Sequence, residues 1–432
     1  MKKIEAPWAL IASKLRAVRA ALDADNLTDV ECEMRESEIF RTADVGPRLF
    51  LPPRDRVQYE YYGRQDELYA IQAVSTALGQ AIAPTHCKSR MGTLGIYLVS
   101  ECDEDDGDKV EAAWALTCNH VAFPKGDNIS TEQSPTMLLS AKHLNNNIFY
   151  VNKLISKEEK YLAEAEPLSS QTPDEFVAYE TRQQRLTSYR QLQSVLSSFR
   201  ATDAARTLGH VHHSPPISIQ NAGTEDAFIR DWALVTLDRQ KFPDGYEFEN
   251  VVDLQTGCSW AICRLLNKHI ERFTESPAPP YELPTDGLLR LRGVVPVADL
   301  IGCSPSSKAA ECNGQRQFVM KHGSESGLTA GIVLDIESVT RHFSEGAGVE
   351  EESYELAVMH LSNPHEFGHG LPYEFSEVGD SGAVIFGLRG RIVGMLTSGS
   401  GWESIIDCTY VTPLAKLQPD IEQTIGRRVR IS

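Results

Sequence analysis

The chain has 432 residues, 41% of them hydrophobic and 24% charged, the balance of a folded globular protein with room for about two or three ordinary cores. Its formal charge of -18 repels phosphate backbones and anionic lipid, and no local basic patch offsets it, so the expected partner is a protein or peptide, with no nucleic acid and no membrane. No run reaches the roughly 18 apolar residues of a membrane span, and nine scattered cysteines without a CxxC pair read as reduced thiols, which points to an intracellular chain, cytoplasmic or nuclear.

Residues 1–85 read as an accessory segment, partly helical. Trp8, Ile11, Leu15, Val18 and Leu22 recur at helical spacing and form one candidate surface for docking a partner. A second helical pattern covers 68–78 and stops at Gly79. From about residue 91 the period becomes that of strands: 92–99 and 113–117, separated by the acidic stretch 103–108, have the pattern of a β-hairpin with a long tip. Residues 156–200 interrupt it, because Leu186, Tyr189, Leu192, Leu196 and Phe199 return to helical spacing. This is a helical insertion and a second candidate docking element. Strand patterns resume at 207–217 and 233–237 and complete a first β domain over 86–250. A helix-capable stretch at 254–273 and the Pro-rich 276–284 mark a linker over 251–286. The second β domain, 287–432, has strand patterns at 289–295, 317–320, 329–334, 354–361, 383–386 and 391–396. Pro413 then opens a last helix with Leu414, Leu417, Ile421 and Ile425 on one face.

Gly379-Asp380-Ser381-Gly382, followed by the apolar Ala383-Val384-Ile385-Phe386, carries the most chemistry. A serine between glycines before a buried strand sits on a tight turn whose amides can face a bound carbonyl, which makes Ser381 a candidate nucleophile. A serine hydroxyl needs a base, and the base needs a group to hold its tautomer. His120 stands at the end of the apolar run Ala115-Leu116-Thr117-Cys118, and Asp231 opens the strand pattern Trp232-Ala233-Leu234-Val235. Each of the two, taken singly, is equally a structural residue. Together with Ser381 they give the chain order His, Asp, Ser.

In that order, Leu116-Thr117-Cys118-Asn119-His120-Val121, Asp231-Trp232-Ala233-Leu234 and Gly379-Asp380-Ser381-Gly382 resemble the three motifs of trypsin-like, chymotrypsin-fold serine proteases, in particular intracellular, HtrA-like members without a PDZ domain. The glycine-rich 323–331 and 394–401 resemble the second-barrel turn and the substrate-binding edge strand of that family. The resemblance implies a mainly β fold of two six-stranded antiparallel barrels, with the N-terminal helical segment and the helical insertion added to the first. It implies a serine endopeptidase with His120, Asp231 and Ser381 as triad, the amides of Gly379 and Ser381 as oxyanion hole, and no cofactor or metal. Phe375 falls where the primary specificity pocket has its base, with Thr397, Ser398, Gly399 and Cys408 lining the substrate site. That base carries no carboxylate, so an apolar or small residue is expected before the cut. The chain departs from the family in having no Ile-Val-Gly-Gly terminus to pair with the Asp beside the nucleophile, so Asp380 must find another partner.

Two other readings stand beside this one. A protease-fold module with closed access would bind peptides without cleaving them. His365-Glu366-Phe367-Gly368-His369 matches the HExxH pattern of zinc metallopeptidases, yet Pro364, Gly368, Gly370 and Pro372 leave no room for the helix that zinc site requires. His210, His212 and His213 lie at strand spacing without companion cysteines and read as surface histidines.

Overall fold

Runs rich in Val, Ile, Leu and aromatic residues become strands, and in the first half of the chain they are apolar on both faces because sheet and helices cover them. The computed structural model describes residues 48–51, 73–87, 91–101, 112–123, 134–165, 172–254, 259–273, 279–301, 317–343, 350–361, 374–402 and 405–431. The N-terminal helical pattern at 8–22, the acidic tip at 103–108 and the HExxH segment at 365–369 lie outside these residues.

The first half contributes strands β1 (Ala81–Pro84), β2 (Gly92–Thr93), β3 (Ile96–Ser100), β4 (Ala113–Thr117), β5 (Pro135–Leu138), β6 (Thr207–His213), β7 (Ser218–Gln220), β8 (Phe228–Arg230) and β9 (Ala233–Leu237). A short pair, β10 (Val251–Asp253) and β11 (Leu288–Arg290), flanks the expected linker. Strands β12 (Gln317–Gly323), β13 (Gly327–Phe343), β14 (Glu350–His360), β15 (Val384–Gly387), β16 (Ile392–Trp402) and β17 (Ile405–Pro413) follow, and β18 (Val429–Ile431) ends the chain. Strands β12 to β17 close into a six-stranded barrel of order β12-β13-β14-β17-β16-β15. The first half forms an eight-stranded sheet, β18-β3-β4-β9-β6-β5-β1-β2, in which β18 is an addition from the far end of the chain. β1 pairs with β2 at one end of this order, and only Leu94 and Gly95 separate β2 from β3.

Helices fill in between. α1 (Asn119–Ala122) follows β4, and α2 (Ala141–Glu164) and α3 (Pro173–Ala201) form an antiparallel pair between β5 and β6. α4 (Ser259–Phe273) lies in the linker, and α5 (Leu414–Ile425) precedes β18. The insertion therefore begins earlier than 156. Its start is set by Ser140, whose hydroxyl accepts the His143 amide and caps α2, and α3 starts on a capping box between Thr172 and Glu175 with Pro173 behind it. Leu144, Val151 and Leu154 of α2 and Leu186, Tyr189, Leu196 and Phe199 of α3 are buried in the core of the first sheet. Residues 73–78, expected to finish a helix, instead form turns, with Ser75 bridging to Phe50. No helix among the described residues is long and apolar enough to cross a membrane.

Asp420 fastens the C-terminal helix to the strand entry at residue 231. Asp420 Oδ2 accepts from Arg230 Nε at 2.9 Å and from Trp232 Nε1 at 2.7 Å. A second tie joins β8 to the barrel: Glu355, 2% exposed on β14, accepts the Ile229 amide and the Thr412 hydroxyl at 2.8 Å each. Burial pushes the Glu355 carboxyl up to about 7 against the pull of those donors. The folded state then holds one more proton than the unfolded state between about pH 4.5 and 7, so stability falls as pH rises through that window and levels off above it. Glu355→Gln keeps the acceptor for Ile229 and removes the titration. Urea midpoints at pH 5 and pH 8 should draw together in the variant, by an amount worth on the order of 3 kcal/mol. An unchanged pH dependence would place the titrating group elsewhere.

Candidate active site

His120 sits in α1, one turn past the end of β4, where the expectation had it at the strand end itself. The neighbouring Asn119 pins this turn. Its amide donates to the Ser214 hydroxyl at 2.7 Å and to the Pro215 carbonyl at 2.8 Å, and Ser214 in turn reaches the Trp232 carbonyl. Asp231 stands just before β9, as expected, with its carboxylate buried at 3% exposure. Both of its oxygens are committed to the histidine: Oδ1 accepts the His120 backbone amide at 3.1 Å, and Oδ2 lies 2.6 Å from His120 Nδ1. That pairing places the ring proton on Nδ1 and leaves Nε2 as the acceptor.

Ser381 is partly exposed on the turn that leads into β15. Gly379 and Gly382 flank it with φ of 116° and 93°, a region that favours glycine. A Cβ at Gly382 would run into the Thr93 carbonyl and the Thr117 hydroxyl. The turn is knitted to the histidine's own strand: Thr93 N donates to Ser381 O at 2.8 Å, Thr117 Oγ1 to Thr93 O at 2.9 Å, and Cys118 Sγ to Leu396 O at 3.3 Å. Thus His120 and Asp231 are in direct contact, and Ser381 is tied through Thr93 to Thr117, three residues ahead of His120.

Asp380 has found its partner. Lys321, in the middle of β12, places Nζ 3.0 Å from Asp380 Oδ2, and neither side chain has any exposed surface. The same carboxylate accepts the Ser326 hydroxyl at 2.6 Å, the Glu377 amide at 2.9 Å and the Glu325 amide at 3.0 Å. Burial alone raises such a carboxyl. Here the Lys321 ammonium and these donors outweigh it and hold Asp380 below the usual carboxylate range. Burial, with Lys321 beside it, pulls the adjacent His322 down to about 4, so that ring is neutral near pH 7 and does not compete for Asp380. Lys321 heads the stretch 321–331 that the sequence marks by its glycines, but the sequence assigned the lysine no role. The one signal was a lone lysine within Gln317-Phe318-Val319-Met320-Lys321-His322-Gly323, every residue of which is buried.

Of the expected substrate residues, Thr397 is buried while Ser398 and Gly399 are exposed. β17 pairs with β16 along this stretch, opposing Ser398 to Tyr410, Gly399 to Thr409 and Ser400 to Cys408. On the other side β15 pairs no further along β16 than Met395, so the edge at 397–401 has no strand partner among the described residues. Phe375 is turned into the barrel core, 1% exposed, packed with Val319, Val333, Val358 and Ile385. Its carbonyl accepts the Thr329 hydroxyl at 2.7 Å. Cys118, His120 and Asp231 offer donor atoms within 4.8 Å of one another, the geometry of a metal cage. The chemistry of Cys118 does not fit one, because burial, and Asp231 beside it, push the thiol well up and it already donates to Leu396. His212 and His213 stack on Trp114 and Trp232 at ring-centroid distances of 5.5 and 6.0 Å, which accounts for them as strand-face packing.

No family model and no curated protein matches the chain. Among solved structures it is similar to a glutamic-acid-specific serine protease described as using a histidine triad in substrate binding, with 12% identity and a TM-score of 0.34 over 82% of this chain and 100% of the other. Protease A of Thermobifida fusca shows 9% identity and a TM-score of 0.34 over 83% and 99%. The active form of the Rv3671c protease of M. tuberculosis shows 8% identity and a TM-score of 0.26 over 93% and 96%. Likeness this distant decides nothing about the site.

Proposed function

We propose that the chain is a serine endopeptidase of the chymotrypsin type, acting through His120, Asp231 and Ser381. The observation that carries this reading is the Asp231 carboxylate, buried and spent entirely on His120, together with a serine in a left-handed glycine turn that is tied through Thr93 to the histidine's strand. The fold supports it. With β2 and β3 taken as one bent strand, the first sheet runs β1, β2/β3, β4, β9, β6, β5 and back to β1, a six-stranded barrel in the same order as the second.

In the reaction, Ser381 Oγ attacks the scissile carbonyl carbon and His120 Nε2 takes the hydroxyl proton. Asp231 stabilises the imidazolium that forms. The carbonyl oxygen becomes an oxyanion held by the amides of Gly379 and Ser381. Collapse breaks the C–N bond, His120 hands its proton to the leaving amine, and a water then repeats the sequence to release the acid. The unpaired edge at 397–401 binds the substrate chain as an added strand, so the substrate is an extended peptide or a loop of a protein. Cys118 and Cys263 as thiols support a reducing, intracellular setting.

A fluorophosphonate probe should label the wild-type chain on Ser381, and Ser381→Ala should abolish both labelling and cleavage of casein-derived peptides while leaving the melting temperature in place. Labelling that persists in Ser381→Ala, or a folded wild type that neither labels nor cleaves, overturns the assignment.

A further inference from the structure

The helical hairpin α2–α3 does more than cover the first sheet, because its first turn reaches Ser324 and Glu325, which hold the nucleophile turn. We propose that His143, on that inserted hairpin, is a positioning residue for the oxyanion-binding turn, acting through the carbonyl of Ser324; the proposal rests on the endopeptidase reading of the same site.

The chain of contacts is continuous. The His143 side chain is only 7% exposed and uses both ring nitrogens. Ser140 Oγ lies 3.0 Å from Nδ1, and His143 Nε2 lies 3.1 Å from Ser324 O. Ser140 Oγ accepts the His143 amide, so it donates its own proton to Nδ1, which leaves the ring proton on Nε2 to be given to Ser324. Ser324 then faces the nucleophile turn: its hydroxyl donates to Gly379 O at 2.8 Å, and its amide donates at 3.1 Å to Thr93 Oγ1, which itself donates to Gly379 O at 3.1 Å. The next residue repeats the pattern. Lys142 Nζ holds Glu325 Oε1 at 2.8 Å, and the Glu325 amide holds Asp380 Oδ1 at 3.0 Å.

Gly379 needs such a clamp. A glycine with φ of 116° has no side chain to restrict rotation about its backbone bonds, so its carbonyl must be held from outside if its own amide and that of Ser381, two residues on, are to keep one direction. Those amides are the oxyanion donors. Donors contribute when they are fixed before charge develops, and a misplacement of about 1 Å costs on the order of a hundredfold in rate. Two hydroxyls hold the Gly379 carbonyl, and the hairpin fixes the residue that supplies one of them. The insertion is thereby part of the catalytic scaffold.

The test compares His143→Ala, His143→Asn and His143→Gln in the full chain. Glutamine places an N–H near the position of Nε2, whereas asparagine reaches only as far as Nδ1. His143→Ala and His143→Asn should lose about tenfold in kcat with KM within about twofold, and His143→Gln should recover most of it. Amide hydrogen exchange over 379–383 should quicken in the first two variants and not in the third, while exchange over 233–237, which follows Asp231, stays unchanged. Equal losses in all three variants would make the ring's packing, not its hydrogen bond, the cause and overturn the proposal. So would kcat and exchange that do not move in any of them. If the wild type neither labels nor cleaves, the endopeptidase reading fails by itself, and the exchange rates over 379–383 still decide the clamp.

Discussion

Lys321→Met should cost the protein both stability and nearly all activity. The substitution leaves Asp380 with no cation in a site where neither side chain has exposed surface, and breaking a buried pair by removing one partner costs about 3–5 kcal/mol. The turn 377–382 is the part of the site free to relieve that charge. Its relief moves the Gly379 and Ser381 amides, so kcat should fall by about 10²–10³, the effect of losing an oxyanion donor where that has been measured. Urea unfolding and steady-state peptide cleavage read the two losses separately. Should Lys321→Met fold too poorly to assay, the pair Lys321→Met and Asp380→Asn removes both charges. It should regain most of the stability but not the rate, since the neutral amide of Asp380→Asn cannot draw in the Glu325 and Glu377 amides together with the Ser326 hydroxyl as a carboxylate does.

The pH dependence of the same pair has a definite sign. Asp380 is held below the usual carboxylate range, so its contribution is present above the unfolded carboxyl pKa and is lost as pH falls through the folded value. Lys321→Met should therefore raise the pH at which acid unfolding begins. A variant with wild-type acid stability and wild-type kcat would show that the pair is ornamental to the site.

The residues that the sequence displays are those whose role depends on local context. Ser381 announces itself through two glycines, and His120 and Asp231 through the strands that carry them. Lys321 on β12 and Asp380 on the turn before β15 meet only once the barrel is formed, and an isolated lysine in a chain of net charge -18 looks like any solvated charge. His143 and Thr93 are invisible for the same reason: their partners, Ser324 and Gly379, are remote in the chain and close only once the two halves fold together. The hairpin's early start at Ala141 is hidden by Asn145-Asn146-Asn147, poor helix formers that interrupt an apolar spacing carried by Leu144, Ile148 and Val151. β18 has only three residues and pairs with β3 from the opposite end of the chain, a placement that no local pattern encodes. Phe375 shows the limit of motif position. Its place in the chain assigned it to a pocket base, and the structure turns its ring into the barrel core.

Asp231→Asn should leave the fold intact and still stop the reaction. The carboxylate now accepts twice, from the His120 backbone amide at 3.1 Å and at Nδ1 at 2.6 Å. Asparagine has one acceptor and one donor. Its oxygen can keep the backbone amide, which fixes its NH₂ toward Nδ1 and so forces the ring proton onto Nε2. A histidine in that tautomer has no lone pair for the proton of Ser381, and it has lost the negative charge that stabilised the imidazolium. The expected fall in kcat is about 10⁴-fold, matching the handicap of the wrong tautomer in the triad where it has been measured. KM should hardly move, because the edge at 397–401 proposed to bind substrate is untouched. Fluorophosphonate labelling should slow in parallel with kcat, since it needs the same activated serine. Neither loss can be assigned to unfolding if the melting temperature stays within a few degrees, as it should when both buried hydrogen bonds survive, the one to the ring with its direction reversed. An Asp231→Asn chain that still turns over within about tenfold of wild type would mean that some group other than His120 removes the proton.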